Sequence, residues 1–393
     1  MRKVSIKVFC FSLITLQLLL LFGCAGSNEI DTLALTTAIG IDRAEDGYLL
    51  SYQVLNPKSI TKNSTVSQSP VAIYSETGKD LLETARSIIS QSSRKLFFSH
   101  LRIVVLGESV VKEGIKDILD FFVREHELRT DFYFVVANGT TANKILKVLP
   151  PIEPNTGIEM YASMEASQKA WAKVTEEKIL DVTNSITSSG KSLVLPGVVI
   201  INEKDNSETI DVLTYSDGTK LKFKNLCIFR NDKMTGWLNQ DDELAYSFIT
   251  GNVKNTIKSI NYGNANEISV EIISAKSHIK AIMPADRKPA INVTLDIKFN
   301  ITSIMREVDV LNNEFEEKIN KRFEEEIKAA CDEAVKRCQE EHKSDIFGFG
   351  EAVHRAYPNY WREVQDNWNN EFEKLPVNIS VKAKLSGLGE VIR

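Results

Sequence analysis

Apolar residues in the first half of the chain follow strand-like and helix-like spacings in turn. Two β-rich runs, residues 34–41 and 48–55, flank Glu45-Asp46-Gly47, which is typical of a β-hairpin turn. The next segments are predicted as strands at Val71–Glu76, Leu101–Leu106 and Phe132–Val136, helices at Asp80–Ile89, Val110–Phe122 and Thr141–Val148, and a mainly helical stretch at Ile158–Ser189. Such alternation favours a mixed or parallel sheet with helices packed against it.

The second half of the chain has longer strand-like runs and longer helices. Leu221–Phe229, Ser269–Met283 and Ile291–Ile304 are β-branched stretches separated by polar turns. Arg306–His342 is predicted as one long helix, because its apolar residues recur every three or four positions. These residues are Leu311, Phe315, Ile319, Phe323, Ile327, Ala330, Ala334 and Cys338. A second helix is predicted at Glu351–Phe372 and a closing strand at Val377–Leu385.

A polar segment at residues 190–220 is the best candidate for a domain boundary, because Asn, Ser, Asp, Lys and Gly dominate it. We therefore predict an α+β protein of two domains. Residues 24–197 would form a mixed α/β domain with helices on the sheet, with room for two subdomains. Residues 218–393 would form a β-rich domain with two long helices.

The first 24 residues have the pattern of an export signal. Arg2, Lys3 and Lys7 precede a mostly apolar run of 15 residues, Val8–Phe22, which is short for a spanning helix. Leu21-Phe22-Gly23-Cys24 resembles the lipobox of bacterial lipoproteins, although Phe22 departs from the usual small or β-branched residue. We predict a signal peptide at 1–23 and lipidation at Cys24 by two acyl chains such as palmitate, enough for stable anchoring. The alternative is an ordinary secretory signal cleaved elsewhere.

Composition excludes several classes of protein. The chain has 48 Lys+Arg against 53 Asp+Glu, a net charge of -5, and no basic stripe, so nucleic acid is not an expected partner. A mean hydropathy of -0.16 excludes a polytopic membrane protein. Beyond Cys10 in the signal peptide and Cys24, only Cys227, Cys331 and Cys338 remain, which is too few for a disulfide scaffold.

Motifs for catalysis or cofactor binding are absent from the sequence. There is no GxGxxG, GxxxxGK[ST], GxSxG or HExxH, and Phe347-Gly348-Phe349-Gly350 lacks the third glycine of a nucleotide loop. Cys331, Cys338 and His342 share one face of the long helix and form a conceivable zinc cluster. The simpler interpretation places both thiols in the apolar stripe and His342 at the helix C-terminus. We expect no catalytic, cofactor-binding or metal-binding residues, and no enzyme.

Asp345–Trp368 is predicted to be an architectural joint. Gly348 and Gly350 adopt positive φ readily and can turn the chain after the long helix. Phe347 and Phe349 would be buried at this corner, and Trp361 and Trp368 would pack against the sheet from one helix face. The competing hypothesis is that these aromatic residues form a surface for a partner protein.

Four patches together resemble one family, the Ger(x)C-type lipoproteins, which are the C subunits of bacterial spore germinant receptors. The patches are Asn28-Glu29-Ile30 with Ala38–Asp42, Ser99–Glu108 with Leu119–Arg124, Phe229 through Trp237-Leu238, and Asp345–Ala352 with His354-Arg355, Pro358, Trp361 and Trp368. They extend from Cys24 to the closing strand. The structural or interaction candidates are Trp237, Phe347, Gly348, Phe349, Gly350, Trp361 and Trp368.

This resemblance implies a non-catalytic lipoprotein on the outer face of the cell membrane and, in the spore, of the inner membrane. It would act with two membrane proteins, the A-type and B-type subunits, in nutrient-triggered germination. The main alternative is a substrate-binding lipoprotein of an ABC importer, for which two lobes of similar topology would be expected. A cell-wall enzyme is a third possibility, but no convincing catalytic set supports it.

Overall fold

A computed structural model describes residues 32–56, 69–125, 127–170, 174–203, 218–262, 267–284, 288–304 and 314–387, together with Phe11. The predicted signal peptide and Cys24 lie outside this part of the chain, apart from Phe11. Strands of the described residues form two sheets, with helices packed on both. The predicted α+β class is therefore confirmed.

The first sheet contains nine strands. They are β1 Leu33–Ala44, β2 Gly47–Leu55, β3 Val71–Gly78, β4 Lys95–Phe97, β5 Ile103–Leu106, β6 Tyr133–Ala137, β7 Val194–Ile201, β8 Lys220–Arg230 and β9 Lys233–Leu238. Their order is β3-β2-β1-β5-β6-β7-β8-β9, and β4 pairs with β1. Strands β1, β5, β6 and β7 are parallel, whereas the outer pairs are antiparallel, so the predicted mixed sheet is confirmed.

Helices cover both faces of this sheet. They are α1 Leu81–Ser87, α2 Glu108–Glu113, α3 Lys116–Arg124, α4 Ala142–Lys147, α5 Thr156–Ala170 and α6 Ile179–Thr187. Apolar residues of α1, α2, α3 and α6 share one core with one face, while α4 and α5 pack on the other. Parallel strands covered on both faces are continuous apolar runs, as in Ile103–Leu106, where every residue is buried.

The predicted helix Val110–Phe122 is wrong as a single element, because Gly114 separates α2 from α3. Gly114 has a φ of +130°, outside the helical region. The next amide, Ile115 N, then donates to the Asp232 carbonyl oxygen at 3.0 Å in the turn between β8 and β9. The chain thus leaves the helix at Gly114, and the next amide bonds to a residue distant in sequence.

The second sheet has the order β10-β11-β12-β13, formed by Thr256–Asn261, Glu267–Ile282, Ala290–Ile304 and Val377–Gly387. Two helices, α7 Gln240–Thr250 and α8 Phe315–Arg337, share its core. The predicted stripe on α8 is confirmed from Phe315 to Cys338, except that Ala330 is only half-buried. Residues 306–313 of the predicted long helix lie outside the described part of the chain, and Cys338–His342 forms a π-helical turn after α8.

The predicted helix Glu351–Phe372 is also wrong as a single element. It consists of α9 Phe349–Ala356, α10 Pro358–Val364 and α11 Trp368–Phe372, with a short 3₁₀ turn at Gln365–Asn367. Proline disfavours helical geometry in the residue before it, and Tyr357 accordingly has a φ of -136° and a ψ of 67°. Pro358 then begins the next helix, where its missing N–H has no cost.

Strands β8 and β9 lie in the predicted second domain, yet β8 pairs with β7 from Val194↔Ile228 to Ile201↔Lys220. The first sheet therefore extends across the segment 190–220, and the division into 24–197 and 218–393 stays a prediction. No helix in the described ranges is both long and apolar enough to cross a membrane.

Candidate functional site

The buried carboxylate of Asp345 organises the predicted corner after α8. Its Oδ1 accepts hydrogen bonds from the backbone N–H groups of Phe347, Gly348 and Phe349 at 3.2, 3.0 and 3.1 Å. Its Oδ2 accepts from Gly350 N at 2.7 Å and from Trp368 Nε1 at 2.9 Å. These donors include N–H groups at the start of α9, which have no partner within the helix. One side chain therefore fixes both α9 and α11.

Burial raises the pKa of Asp345 to about 6, while the hydrogen bonds from Gly350, Trp368, Phe349 and Gly348 act in the opposite direction. The carboxyl is consequently ionised at neutral pH, the form that accepts from all five donors. An ionised acceptor forms stronger hydrogen bonds than a neutral one. Charge-assisted hydrogen bonds to the fully buried Asp345 side chain thus stabilise the corner.

Two glycines of the corner serve different purposes. Gly348 has a φ of +77°, as predicted, and turns the chain into α9. Gly350 lacks the predicted positive φ, because it is the second residue of α9. A glycine is required at this position because there is no room for a side chain. A Cβ there would lie 2.6 Å from Trp368 Nε1 and 2.7 Å from the Cα of Gly190. The prediction that Gly350 turns the chain with a positive φ is therefore wrong.

Backbone hydrogen bonds connect the corner to the segment that leads into β7. Ser192 N donates to the Asp345 carbonyl oxygen at 2.7 Å, and Glu351 N donates to the Gly190 carbonyl oxygen at 3.2 Å. Because β7 is a central strand of the first sheet, these bonds join the second half of the chain to the first. Sequence reasoning missed Gly190 and Ser192, which carried no signal beyond their place in a polar segment.

Aromatic side chains fill the space around the corner. The rings of Phe347 and Phe349 stack at 5.2 Å between centroids, and those of Trp361 and Trp368 lie 5.2 Å apart. All four side chains are buried in the core that α8 and the second sheet share. The two tryptophans lie on separate helices, α10 and α11, and not on one helix face as predicted.

Trp237 does not join this group. It lies on β9 and packs against the core that the first sheet shares with α1, α2, α3 and α6. A Cβ at Gly197 on β7 would lie 2.6 Å from the Trp237 ring, which therefore reaches across β8 to β7. The structure thus brings together six of the seven structural or interaction candidates and places the seventh in another core.

A half-buried carboxyl, Glu177, lies near the corner. Burial raises the pKa of Glu177 to about 7, although Lys191 and a hydrogen bond from Thr175 Oγ1 at 3.1 Å lower it. Lys191 also borders Gly348, with its Cδ 3.5 Å from the position of a Cβ there. Sequence reasoning missed Glu177, since nothing in the local pattern distinguishes it from an exposed carboxyl.

The conceivable zinc cluster has no suitable geometry. Cys331 and Cys338 are buried in the apolar core, and burial raises the pKa of both thiols, that of Cys331 to about 12. Thiolates are the form that binds zinc, so this environment opposes binding. Within the described ranges, no three His, Cys, Asp or Glu side chains are placed to hold a metal ion. His342 instead packs against Gly236 of β9.

Comparison with known proteins covers most of the chain. Residues 26–200 match the spore germination protein N-terminal domain, and residues 224–389 match the spore germination B3/GerAC-like C-terminal domain. Spore germination protein KC of Bacillus subtilis (strain 168) is 26% identical over 96% of this chain and 95% of its own length. Spore germination protein A3 of the same organism is 28% identical over 94% and 93%.

A solved structure has the same fold. The crystal structure of the GerBC protein superposes with a TM-score of 0.55 at 19% identity, covering 88% of this chain and 96% of that one. The sequence patches, the two domain matches in order and the shared fold agree with one another. This chain belongs to the Ger(x)C family of spore germination proteins.

Proposed function

We propose that this chain is the lipid-anchored, non-catalytic C subunit of a spore germinant receptor, needed for nutrient-triggered germination. The observation that carries the proposal is the match to spore germination proteins over nearly the whole chain. Its partners would be the A-type and B-type membrane subunits. It would lie on the outer face of the cell membrane and of the spore's inner membrane, held by Cys24.

The arrangement of the corner favours a structural role for the candidate residues within the receptor subunit over a role as a contact surface. Phe347, Phe349, Trp361 and Trp368 are buried, so their rings are not available as a contact surface in this conformation. The Asp345 carboxylate and the glycines instead fix the two halves of the chain against each other. We propose that the corner gives the subunit one rigid shape for its partners.

The importer alternative has no support in the fold. Substrate-binding proteins of that class would show two lobes of similar topology, whereas the mixed nine-stranded sheet and the four-stranded sheet differ. No separate observation favours it over the receptor subunit.

Deletion of the gene in a spore-former tests the proposal. Spores should form normally but lose the response to one class of nutrient, and a plasmid copy should restore it. A copy with Cys24→Ala should fail to restore the response and should leave the membrane fraction or stay uncleaved. Normal germination toward every nutrient after deletion would overturn the receptor role. Full function and unchanged fractionation of Cys24→Ala would overturn the anchor alone.

A further inference from the structure

The second sheet has one covered face and one open face. The covered face shares its core with α7 and α8, whereas the other face of β11, β12 and β13 is exposed and polar. Five lysines lie on this open face, and together they form what we call the basic face: Lys276, Lys280, Lys298, Lys382 and Lys384. Asp296 stands among them, opposite Lys276 and Lys382, and leaves most of their positive charge uncompensated.

The basic face is unfavourable for folding by itself. Lys298 and Lys384 stand directly opposite each other on β12 and β13, where like charges are destabilising. Within the described ranges, none of the five lysines forms an ion pair. The chain as a whole carries a net charge of -5, so this face contrasts with the rest of the molecule. Such a concentration of positive charge fits a negatively charged partner.

Two exposed isoleucines adjoin the basic face. Ile257 on β10 stands opposite Glu271, and Ile273 follows two positions later on β11, so the alternation of a strand places both on the open face. Ile273 is the extra residue of a β-bulge next to Ser274, which stands opposite Lys298. The two isoleucines are 51% and 41% exposed. Surfaces that bind lipid combine apolar side chains, which enter the head-group region, with basic ones, which attract anionic lipid.

A protein partner fits this surface less well. Protein interfaces are enriched in aromatic side chains and arginine and depleted in lysine. The described strands β11, β12 and β13 contain no arginine, tyrosine or tryptophan. A lysine ammonium is a point charge on a flexible stem, so it can follow a fluid array of head groups without a fixed geometry.

We propose that the open face of the second sheet lies on the anionic surface of a lipid bilayer, with Ile257 and Ile273 in the head-group region. The proposal rests on the proposed lipid anchor, which brings the chain to the membrane. The anchor holds only the N-terminus of the mature chain, whereas this face fixes which side of the subunit meets the bilayer.

Vesicle sedimentation tests the contact. The sample is the chain from residue 24 onward with Cys24→Ser, which carries no acyl chains and keeps every strand and the helices α1 to α11. It should bind phosphatidylcholine vesicles that contain about one third phosphatidylglycerol, and pure phosphatidylcholine vesicles much less. Binding should weaken when the salt concentration rises from about 0.1 M to about 0.5 M, because salt screens exposed charges.

Paired substitutions locate the contact on the basic face. Lys298→Gln with Lys384→Gln should weaken binding to the anionic vesicles about 30-fold, since each lysine near such a surface contributes about a fivefold factor. Its melting midpoint should not fall, because the change relieves a repulsion between like charges. Lys276→Gln with Lys280→Gln, on β11, should weaken binding to a similar extent.

A matched control removes the same charge from the other side of the sheet. Lys321 and Lys336 are exposed on α8, which packs on the covered face. Lys321→Gln with Lys336→Gln should therefore bind the anionic vesicles like the parent.

The proposal is overturned if the parent binds both kinds of vesicle alike, or if both pairs of substitutions on the basic face bind as the parent does. Unchanged vesicle binding with loss of the partner subunits in co-purification would assign the face to a protein contact instead. Since the sample has no acyl chains and no partners, either result leaves the deletion test of the receptor role unaffected.

Discussion

Replacing Gly350 with alanine separates helix propensity from tertiary packing. Gly350 is the second residue of α9, and alanine is favoured over glycine within a helix by about 1 kcal/mol. Propensity alone therefore predicts a more stable protein. The structure predicts the opposite, since a Cβ would lie 2.6 Å from Trp368 Nε1, 2.7 Å from the Gly190 Cα and 2.8 Å from the Gly190 carbonyl oxygen.

The magnitude follows from what must move. Two of the three close atoms are backbone, so α9 has to shift away from Gly190. Overpacking of this kind costs about 1–3 kcal/mol. A shift also weakens the bond from Glu351 N to the Gly190 carbonyl and the bond from Trp368 Nε1 to Asp345, and an unpaired buried donor costs about 1–3 kcal/mol. After the propensity gain of about 1 kcal/mol, we expect a net loss of stability of about 1–5 kcal/mol.

Thermal melting followed by circular dichroism measures this effect as a difference in melting midpoint between the variant and the parent under the same conditions. At about 2–4 °C per kcal/mol, the melting midpoint should fall by about 2–20 °C. Gly348→Ala is the matched control: its Cβ would meet nothing closer than 3.5 Å, so only the φ of +77° opposes it, at about 1–2 kcal/mol.

A Gly350→Ala protein that melts at or above the temperature of the parent would contradict this prediction. That result would mean that the contact with Gly190 does not hold the corner together.

Three further predictions concern single side chains. Because the folded pKa of Glu177, about 7, exceeds its usual 4.5, the folded state binds more protons, so stability should fall as pH rises from about 4.5 to 7. Glu177→Gln should flatten that fall in melting midpoints taken at pH 5 and 8. Trp368→Ala should cost about 3–5 kcal/mol in melting experiments. A variant that melts like the parent but loses its partners in co-purification would favour an interface instead. Asp42 accepts from Ala142 N and Asn143 N, both at 2.8 Å, at the start of α4. Asp42→Ala should therefore lower stability by about 0.5–2 kcal/mol, and an unchanged melting curve would contradict this capping role.

Local patterns determined much of the first sheet and the α8 stripe. The hairpin at Glu45-Asp46-Gly47 and the buried strand Ile103–Leu106 follow from turn chemistry and from apolar runs, which act over a few residues. The stripe from Phe315 to Cys338 follows from the 3.6-residue period of a helix facing one core. The ordered patches also indicated the family, and the comparisons confirm it.

Helix ends and the composition of the corner were decided by contacts distant in sequence. Gly114 has a φ of +130° where α2 ends, and the next amide, Ile115 N, bonds to the Asp232 carbonyl oxygen, a partner that no local window contains. Only the folded chain brings Gly190 against Gly350 and directs the Trp368 N–H to Asp345. The spacing of apolar residues predicts which side chains face a core, whereas the tertiary structure determines which buried polar groups form hydrogen bonds with each other. For that reason the sequence identified the segment Asp345–Trp368 as a structural unit. Only the tertiary structure showed that its carboxylate accepts the buried N–H groups, that its glycines serve a turn and a close contact, and that its tryptophans lie on separate helices.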